Sequence, residues 1–225
     1  MCGRFTLRTP LSVLARQFNF DLDEAFAATA RYNIAPTQDV LAIRSNDAGR
    51  ELVPLHWGLI PPWSKDAKMV YSTINARADT IATKPAFKNA FLRRRCLILA
   101  DGYYEWRREG KAKLPVLYEV NGGKPFAFAG IWESWRGLPG SNGPPLESCS
   151  VITTDANDLA AQVHNRMPVI LSEDDYDAWL DPANQKAESL RYLLEPFPAD
   201  RMTARPVSTF VNNARNEGIE CLNSL

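Results

Sequence analysis

The sequence predicts an α+β fold: a single compact domain with an antiparallel, barrel-like β core flanked by short helices. Three observations predict it. Short strand-like runs follow one another closely, with turn residues between them. Helical spacing is confined to a few brief segments set apart from those runs, which argues against βαβ units. No repeat, long linker or composition break divides the 225 residues, so residues 1–225 read as one domain.

Each element has its own justification. Residues 10–18 place Leu11, Leu14, Ala15 and Phe18 at helical spacing. Residues 40–44 and 52–57 are strand-like and flank the turn-like Ser45-Asn46-Asp47-Ala48-Gly49. Residues 96–100 lead into Asp101-Gly102, a hairpin or tight-turn signal, and then into residues 103–106. Residues 115–120 and 125–132 flank Asn121-Gly122-Gly123, a second hairpin signal. The Gly- and Pro-rich residues 136–145 read as one surface loop. Residues 149–154 and 167–171 are short apolar runs, and 155–163 reads as a short helix. Residues 172–180 begin with Ser172 and Asp175 in a capping-box pattern. Residues 185–194 put Leu190, Leu193 and Leu194 on one face and stop before Pro196. So many short strands in one domain point to a barrel or sandwich core.

Composition excludes several classes. Apolar residues make up 45%, which argues against disorder. No run of about eighteen apolar residues exists to span a membrane as a helix. The opening MCGRFTLRTP lacks the apolar stretch of a signal peptide. Cysteines at 2, 96, 149 and 221 form no C-x-x-C pair, so neither a disulfide scaffold nor a structural zinc site is expected. No metal cluster or phosphate loop is visible, so no cofactor is expected. A reducing, cytoplasmic compartment fits.

Lys and Arg number 26, as do Asp and Glu, but the charges are unevenly spread. Residues 77–113 carry ten bases and four acids, whereas residues 155–200 carry ten acids and three bases. A basic block suits a polyanion such as nucleic acid. The plainer reading is a solvated face with local ion pairs.

Cys2 is the most informative residue. Removal of Met1 leaves a residue with an α-amine and a thiol on adjacent carbons. The amine has a reference pKa near 8 and is partly unprotonated at neutral pH. It condenses with an aldehyde to an imine, and the thiol then closes on the imine carbon to give a thiazolidine. With Met1 attached, the Cys2 nitrogen is an amide and this chemistry cannot start. The plainer reading is an ordinary small residue at a frayed terminus.

Other candidates follow from pattern. Glu105 lies in ADGYYEW, where strand alternation puts it on the face of Tyr103 and opposite Tyr104 and Trp106. A carboxyl between aromatic residues suits acid–base work. His164, in VHNRMPVIL, stands at a junction with Arg166 that can place imidazole and guanidinium in one cleft; the plainer reading is a satisfied structural histidine. His56 looks more like a packing residue with a polar tip. Asn75 and Arg77 are two apart on an extended segment, hence on one face; Asn bonds a sugar or amide and Arg clamps a phosphate. Trp63 and Trp106 offer stacking surfaces for bases, or belong to the core. Cys96, Cys149 and Cys221 read as buried small hydrophobes.

The motifs together resemble the SOS response-associated peptidase family of abasic-site processing proteins. They run in order: MCGRF at 1–5, RYNIAPTQ at 31–38, WGLIPPWSKD at 57–66 and INARADTIATKPAFKNAF at 74–91. RRCLILADGYYEW at 94–106, FAFAGIWE at 126–133, CSVITTDAN at 149–157, VHNRMPVIL at 163–171 and VSTFVNNARNEG at 207–218 continue the series. The resemblance implies a groove for single-stranded DNA and an abasic-site aldehyde as substrate, trapped by Cys2 as a thiazolidine crosslink. It implies that Asn75 positions the amine and sugar, that Glu105 moves protons, and that His164 assists the opened sugar. It implies phosphate contacts from Arg4, Arg77 and Arg166, and groove contacts from Asn33, Trp106 and Thr153. It also implies release of Met1, some lyase activity through the imine, and association with the nucleoid when DNA is bound. No protein partner and no membrane are implied.

Three rival readings stand beside it. An N-terminal-nucleophile glutamine amidotransferase also opens on MCG, but the remaining motifs do not fit that class. A non-catalytic binder of single-stranded nucleic acid needs the basic block and the tryptophans but not Cys2. A papain-like protease rests only on Cys96 and His164.

Overall fold

The computed structural model describes residues 2–23, 27–66, 72–137, 140 and 143–225. Its elements in chain order are β1 (Phe5–Leu7), α1 (Leu11–Phe18), β2 (Arg31–Ile34), β3 (Asp39–Asn46), β4 (Gly49–Trp57) and β5 (Asn75–Arg77). Next come α2 (Lys88–Arg93), β6 (Arg95–Ala100), β7 (Gly102–Glu109), β8 (Ala112–Val120), β9 (Phe126–Trp135) and β10 (Leu146–Asp155). The chain ends with β11 (Arg166–Pro168), β12 (Ile170–Leu171), α3 (Tyr176–Leu180), α4 (Ala187–Leu190) and β13 (Met202–Pro206), separated by short 3-10 turns.

The strands form two sheets. Five stand in the order β13-β8-β7-β1-β2, all antiparallel. The larger sheet runs β11-β10-β4-β3-β6-β9-β12, with β5 also on β10. β10 pairs with β9 as well, so the path from β10 through β4, β3, β6 and β9 returns to its start. Ten residues long, β10 serves four neighbours. One edge takes β4 and then β5; the other takes β9 and then β11.

The purely antiparallel expectation is corrected here, because β10 runs parallel to both β4 and β5. Parallel neighbours need long connections, and turn residues report only on strands adjacent in sequence. The two hairpin signals at Asp101-Gly102 and Asn121-Gly122-Gly123 are corrected for the same reason. β6 and β7 lie in different sheets, and so do β8 and β9. Both turns hand the chain from one sheet to the other. The tight hairpins are β3–β4 around Asp47-Ala48 and β7–β8 around Gly110-Lys111, and β9 pairs with β10 across the longer connection 136–145. Gly110 takes φ 60° there, a conformation suited to glycine.

Gly102 serves close packing rather than a turn. A Cβ on it would stand 2.9 Å from Leu117 Cδ1 and 3.0 Å from Thr6 Oγ1. Asp101 beside it is buried, and its carboxylate accepts hydrogen bonds from Thr6 Oγ1, the backbone N–H of Arg8 and Thr9, and Arg8 Nε. That network ties the β6–β7 crossing to the end of β1.

Helices are shorter than their sequence patterns. Of residues 155–163, Asp155 ends β10 and only Ala160–Gln162 is helical, as a 3-10 turn. The 172–180 segment divides into the 3-10 turn Glu173–Asp175 and α3, and the Ser172 side chain makes no capping bond. The 185–194 segment divides into α4 and the 3-10 turn Arg191–Leu194. The loop assigned to 136–145 includes 138, 139, 141 and 142, which lie outside the described residues.

The main core joins the inward faces of both sheets. Phe5 packs on Trp57 and Phe128 at ring-centroid distances of 5.1 and 5.6 Å. A second cluster of Tyr104, Leu117, Val207, Val211 and Cys221 lies on the other face of the five-stranded sheet. β7 therefore points Tyr103 and Glu105 into one environment and Tyr104 and Trp106 into the other, as alternation requires. No helix among the described residues is long and apolar enough to cross a membrane.

Candidate functional site

Cys2 is not frayed; it is wholly buried in the main core. Two strands build its surroundings. β1 carries it against β7, with Phe5 opposite Tyr103. β5 brings Asn75, whose Nδ2 donates to the Cys2 carbonyl at 2.8 Å. β5 itself is held on β10, with Asn75 opposite Val151. Asn75 Oδ1 is buried with no hydrogen-bond partner, leaving an acceptor aimed into the protein.

Glu105 is buried on the inward face of β7. Burial, and then the Glu105 carboxylate, push the Cys2 thiol far above its usual range. Cys2 therefore rests as a thiol, and attack by sulfur needs a nearby group to take its proton. Glu105 is the carboxylate whose charge acts on it.

A second group lies further along β10. His164 is half-buried beside β11, and its Nδ1 accepts the backbone N–H of Arg166 at 3.0 Å. An acceptor at Nδ1 places the ring hydrogen on Nε2. Arg166 is buried. Its Nη2 donates to the Thr153 carbonyl at 2.6 Å and to Thr153 Oγ1. Its Nε and Nη1 have no partner. Burial, and then the charge of Arg77, hold the Arg166 guanidinium below its usual value. Arg77 stands opposite Thr153 on β5 and is exposed, forked onto Asp79 at 2.5 and 3.0 Å. Thr153 thus lies under Arg166 and opposite Arg77. Its buried hydroxyl holds the arginine and has no open surface to offer a groove.

Arg4, Asn33 and Trp106, expected at the groove, each have partners within the protein. Arg4 Nη1 donates to Asn33 Oδ1 at 2.6 Å and to the Val211 carbonyl at 2.9 Å. Its guanidinium stands 5.5 Å from the centre of the Trp106 ring. Asn33 is buried, and its Nδ2 donates to the carbonyls of Asn213 and Asn216. Trp106 Nε1 donates to Asn212 Oδ1 at 2.6 Å. These three residues fasten the C-terminal segment over the outer face of β1, β2 and β7. Sequence pattern could not show it, because the covering segment is 207 positions away from Arg4 at Val211.

The basic block is also partly consumed internally. Arg95 is buried among the carbonyls of Phe91, Leu92, Trp179 and Asp181. Arg94 pairs with Glu133, and Arg107 with Glu109. His56 packs with its Nδ1 3.5 Å from Asp39 Oδ1. Trp63 is 58% exposed, so its ring is open to a stacking partner. Cys96, Cys149 and Cys221 are buried free thiols. Sequence reasoning passed over Tyr103 and Tyr118, two buried phenols near Cys2 and Glu105. Alternation signals Tyr103, which shares a face with Glu105; Tyr118 requires the β7–β8 register.

Comparison with known proteins agrees across the chain. The family model for the SOS response associated peptidase (SRAP) matches residues 1–214. The abasic site processing protein YoaM of Bacillus subtilis is 43% identical over 228 residues, covering 100% of this chain and 98% of YoaM. YoqW of the same organism, which carries the same description, is 42% identical and is covered in full, as is this chain. A solved structure from Bacteroides thetaiotaomicron superposes with a TM-score of 0.85 at 29% identity, covering both chains completely.

Proposed function

The chain belongs to the SOS response associated peptidase family, and from that premise we propose that it processes abasic sites in single-stranded DNA by covalent capture on Cys2. Residues 1–225 act as one domain, and the closed path of the larger sheet serves as a barrel-like core that holds the strands of the site. The protein works in the cytoplasm, on the nucleoid when bound to DNA.

The reaction begins with a free Cys2. Met1 is released first, with Glu105 as the proton shuttle; Met1 lies outside the described residues. The Cys2 amine then adds to the aldehyde of the ring-opened sugar, and water leaves to give an imine. The sulfur bonds to the imine carbon, the C=N pair moves onto nitrogen, and the thiol proton reaches that nitrogen through Glu105. The product is a thiazolidine. Asn75 orients Cys2 through its carbonyl and offers Oδ1 to the amine or the sugar. His164, with hydrogen on Nε2, donates to an oxygen of the opened sugar. The unpartnered donors of Arg166 suit a phosphate oxygen, with Arg77 beside it. An imine that loses a C2′ proton before ring closure cleaves the strand, which is the lyase side reaction.

One observation carries this reading: Cys2 is buried, tethered by Asn75 at 2.8 Å and within the field of the Glu105 carboxylate. The test uses protein with its N-terminus confirmed free by mass spectrometry and single-stranded DNA bearing one abasic site. A heat-stable shifted band on a denaturing gel, absent with intact DNA and with Cys2→Ala, is the expected result. No band from such protein overturns the reading. DNA retention that survives Cys2→Ala without any covalent band would identify a simple binder.

A further inference from the structure

The scheme above leaves a pair of buried phenols without a task. Tyr103 and Tyr118 face each other across β7 and β8. Their rings stack with centroids 4.9 Å apart and planes 11° from parallel. Both residues are buried, at 0% and 1% exposure, and neither hydroxyl has a hydrogen-bond partner. A buried hydroxyl without a partner is destabilising, and native proteins keep few of them. Phenylalanine at both positions would preserve the stack, and the edge contact of Tyr103 with Phe128, without that cost.

The hydroxyls instead point to the chemistry of the site. Burial, then Tyr118, Cys2 and Glu105, raise the Tyr103 phenol well above its usual value. Burial, then Glu105, push the Tyr118 phenol up to about 12. Both phenols therefore remain protonated donors at any working pH, in the field of the thiol and carboxylate that exchange a proton.

We infer that Tyr103 and Tyr118 are positioning residues of the Cys2 site: the unpartnered hydroxyl of Tyr103 donates a hydrogen bond to the Cys2 sulfur as negative charge develops on it during ring closure, and the unpartnered hydroxyl of Tyr118 donates to Glu105 and sets its orientation. Tyr103 stabilises the sulfur while its proton departs. Tyr118 holds the Glu105 carboxylate in place to receive that proton and deliver it to the imine nitrogen. A donor satisfied only as the sulfur gains charge favours the transition state over the resting protein, which is how Tyr103 accelerates closure; Tyr118 acts through the placement of Glu105. The inference rests on the crosslinking reading.

The test compares wild type, Tyr103→Phe and Tyr118→Phe on single-stranded DNA with one abasic site. Two quantities are followed: the rate of the heat-stable band, and the share of adduct that becomes stable only after borohydride reduction, which reports the open imine. DNA carrying a tetrahydrofuran analogue, which has no aldehyde, measures binding alone. Tyr103→Phe is expected to slow closure about tenfold or more, to raise the imine share, and to leave analogue binding within about twofold. Its thermal stability should equal or exceed wild type, because an unsatisfied hydroxyl is gone. Tyr118→Phe should show the same pattern and carries the test if Tyr103→Phe does not fold. Wild-type rates and imine shares in both variants overturn the inference and leave the crosslink standing. A wild type that forms no heat-stable band overturns the crosslinking reading itself.

Discussion

Asn75 donates a hydrogen bond from Nδ2 to the carbonyl of Cys2 at 2.8 Å, across 73 positions of sequence. The bond fixes the direction in which the first residues enter the core. It depends on β5 lying parallel to β10, so the larger sheet sets the aim of a residue that leads into the first strand of the smaller one. Asn75→Ala removes both the tether and the buried Oδ1 acceptor. Crosslinking should slow by about tenfold to a hundredfold, the scale of lost orientation. Timed denaturing gels read the rate, and an unchanged melting temperature would separate lost aim from lost fold. Wild-type kinetics in this variant would remove Asn75 from the mechanism.

Amine and thiol have separable duties. Cys2→Ser keeps the amine but replaces sulfur with a poor nucleophile at neutral pH. The variant should form an imine that survives denaturation only after borohydride treatment. A heat-stable band without reduction would show that sulfur is dispensable.

The buried thiols make stability depend on pH. Burial is the first cause that raises Cys2, Cys96 and Cys149. In the unfolded chain such thiols titrate near about 8.5. Their folded values lie above that, so their stabilising contribution is whole below about pH 8.5 and drains as the pH rises toward the folded values. Each thiol should steepen the loss by up to about 1.4 kcal/mol per pH unit in that window. Urea midpoints at pH 7, 8.5 and 10 check it, with Cys149→Ala as the control that flattens the curve. A midpoint independent of pH across this range would contradict the burial argument.

Asp101 is the strongest structural anchor near the site. Its carboxylate gathers Thr6, Arg8 and Thr9 at distances between 2.6 and 3.0 Å, with the Arg8 ion pair at 3.0 Å. Asp101→Ala strands those donors, and breaking a buried pair of this kind costs about 3–5 kcal/mol. Chemical denaturation should show that loss together with reduced crosslinking, since β1 carries Cys2. A loss under about 1 kcal/mol would mean the donors find other partners.

The Arg4–Asn33 contact is a structural strap. Asn33→Ala frees the carbonyls of Asn213 and Asn216 and leaves Arg4 with only its bond to the Val211 carbonyl. Limited proteolysis should cut the 211–218 region faster than in wild type. An unchanged digestion pattern would show that this contact does not hold the segment down.

Chemistry and strand character were legible without coordinates. Once Met1 is gone, an amine beside a thiol at Cys2 follows from covalent structure alone, and the two-residue period of β7 places Glu105 with Tyr103 whatever surrounds it. The strand-like runs at 40–44, 52–57, 96–100 and 149–154 all lie within strands. Pairing was not legible. Asp101-Gly102 and Asn121-Gly122-Gly123 announce a change of direction, but whether two flanking strands meet depends on which face each must bury. Nor could pattern reveal that residues 207–222 cover the outer face of β7, which turns Arg4, Asn33 and Trp106 inward to hold that segment. Sequence alone determined what local bonding dictates: the candidate groups, the alternation and the turns. Tertiary structure decided the sheet partners, the parallel edge on β10 and the company of Cys2, because those follow from burial shared between residues that chain order keeps far apart.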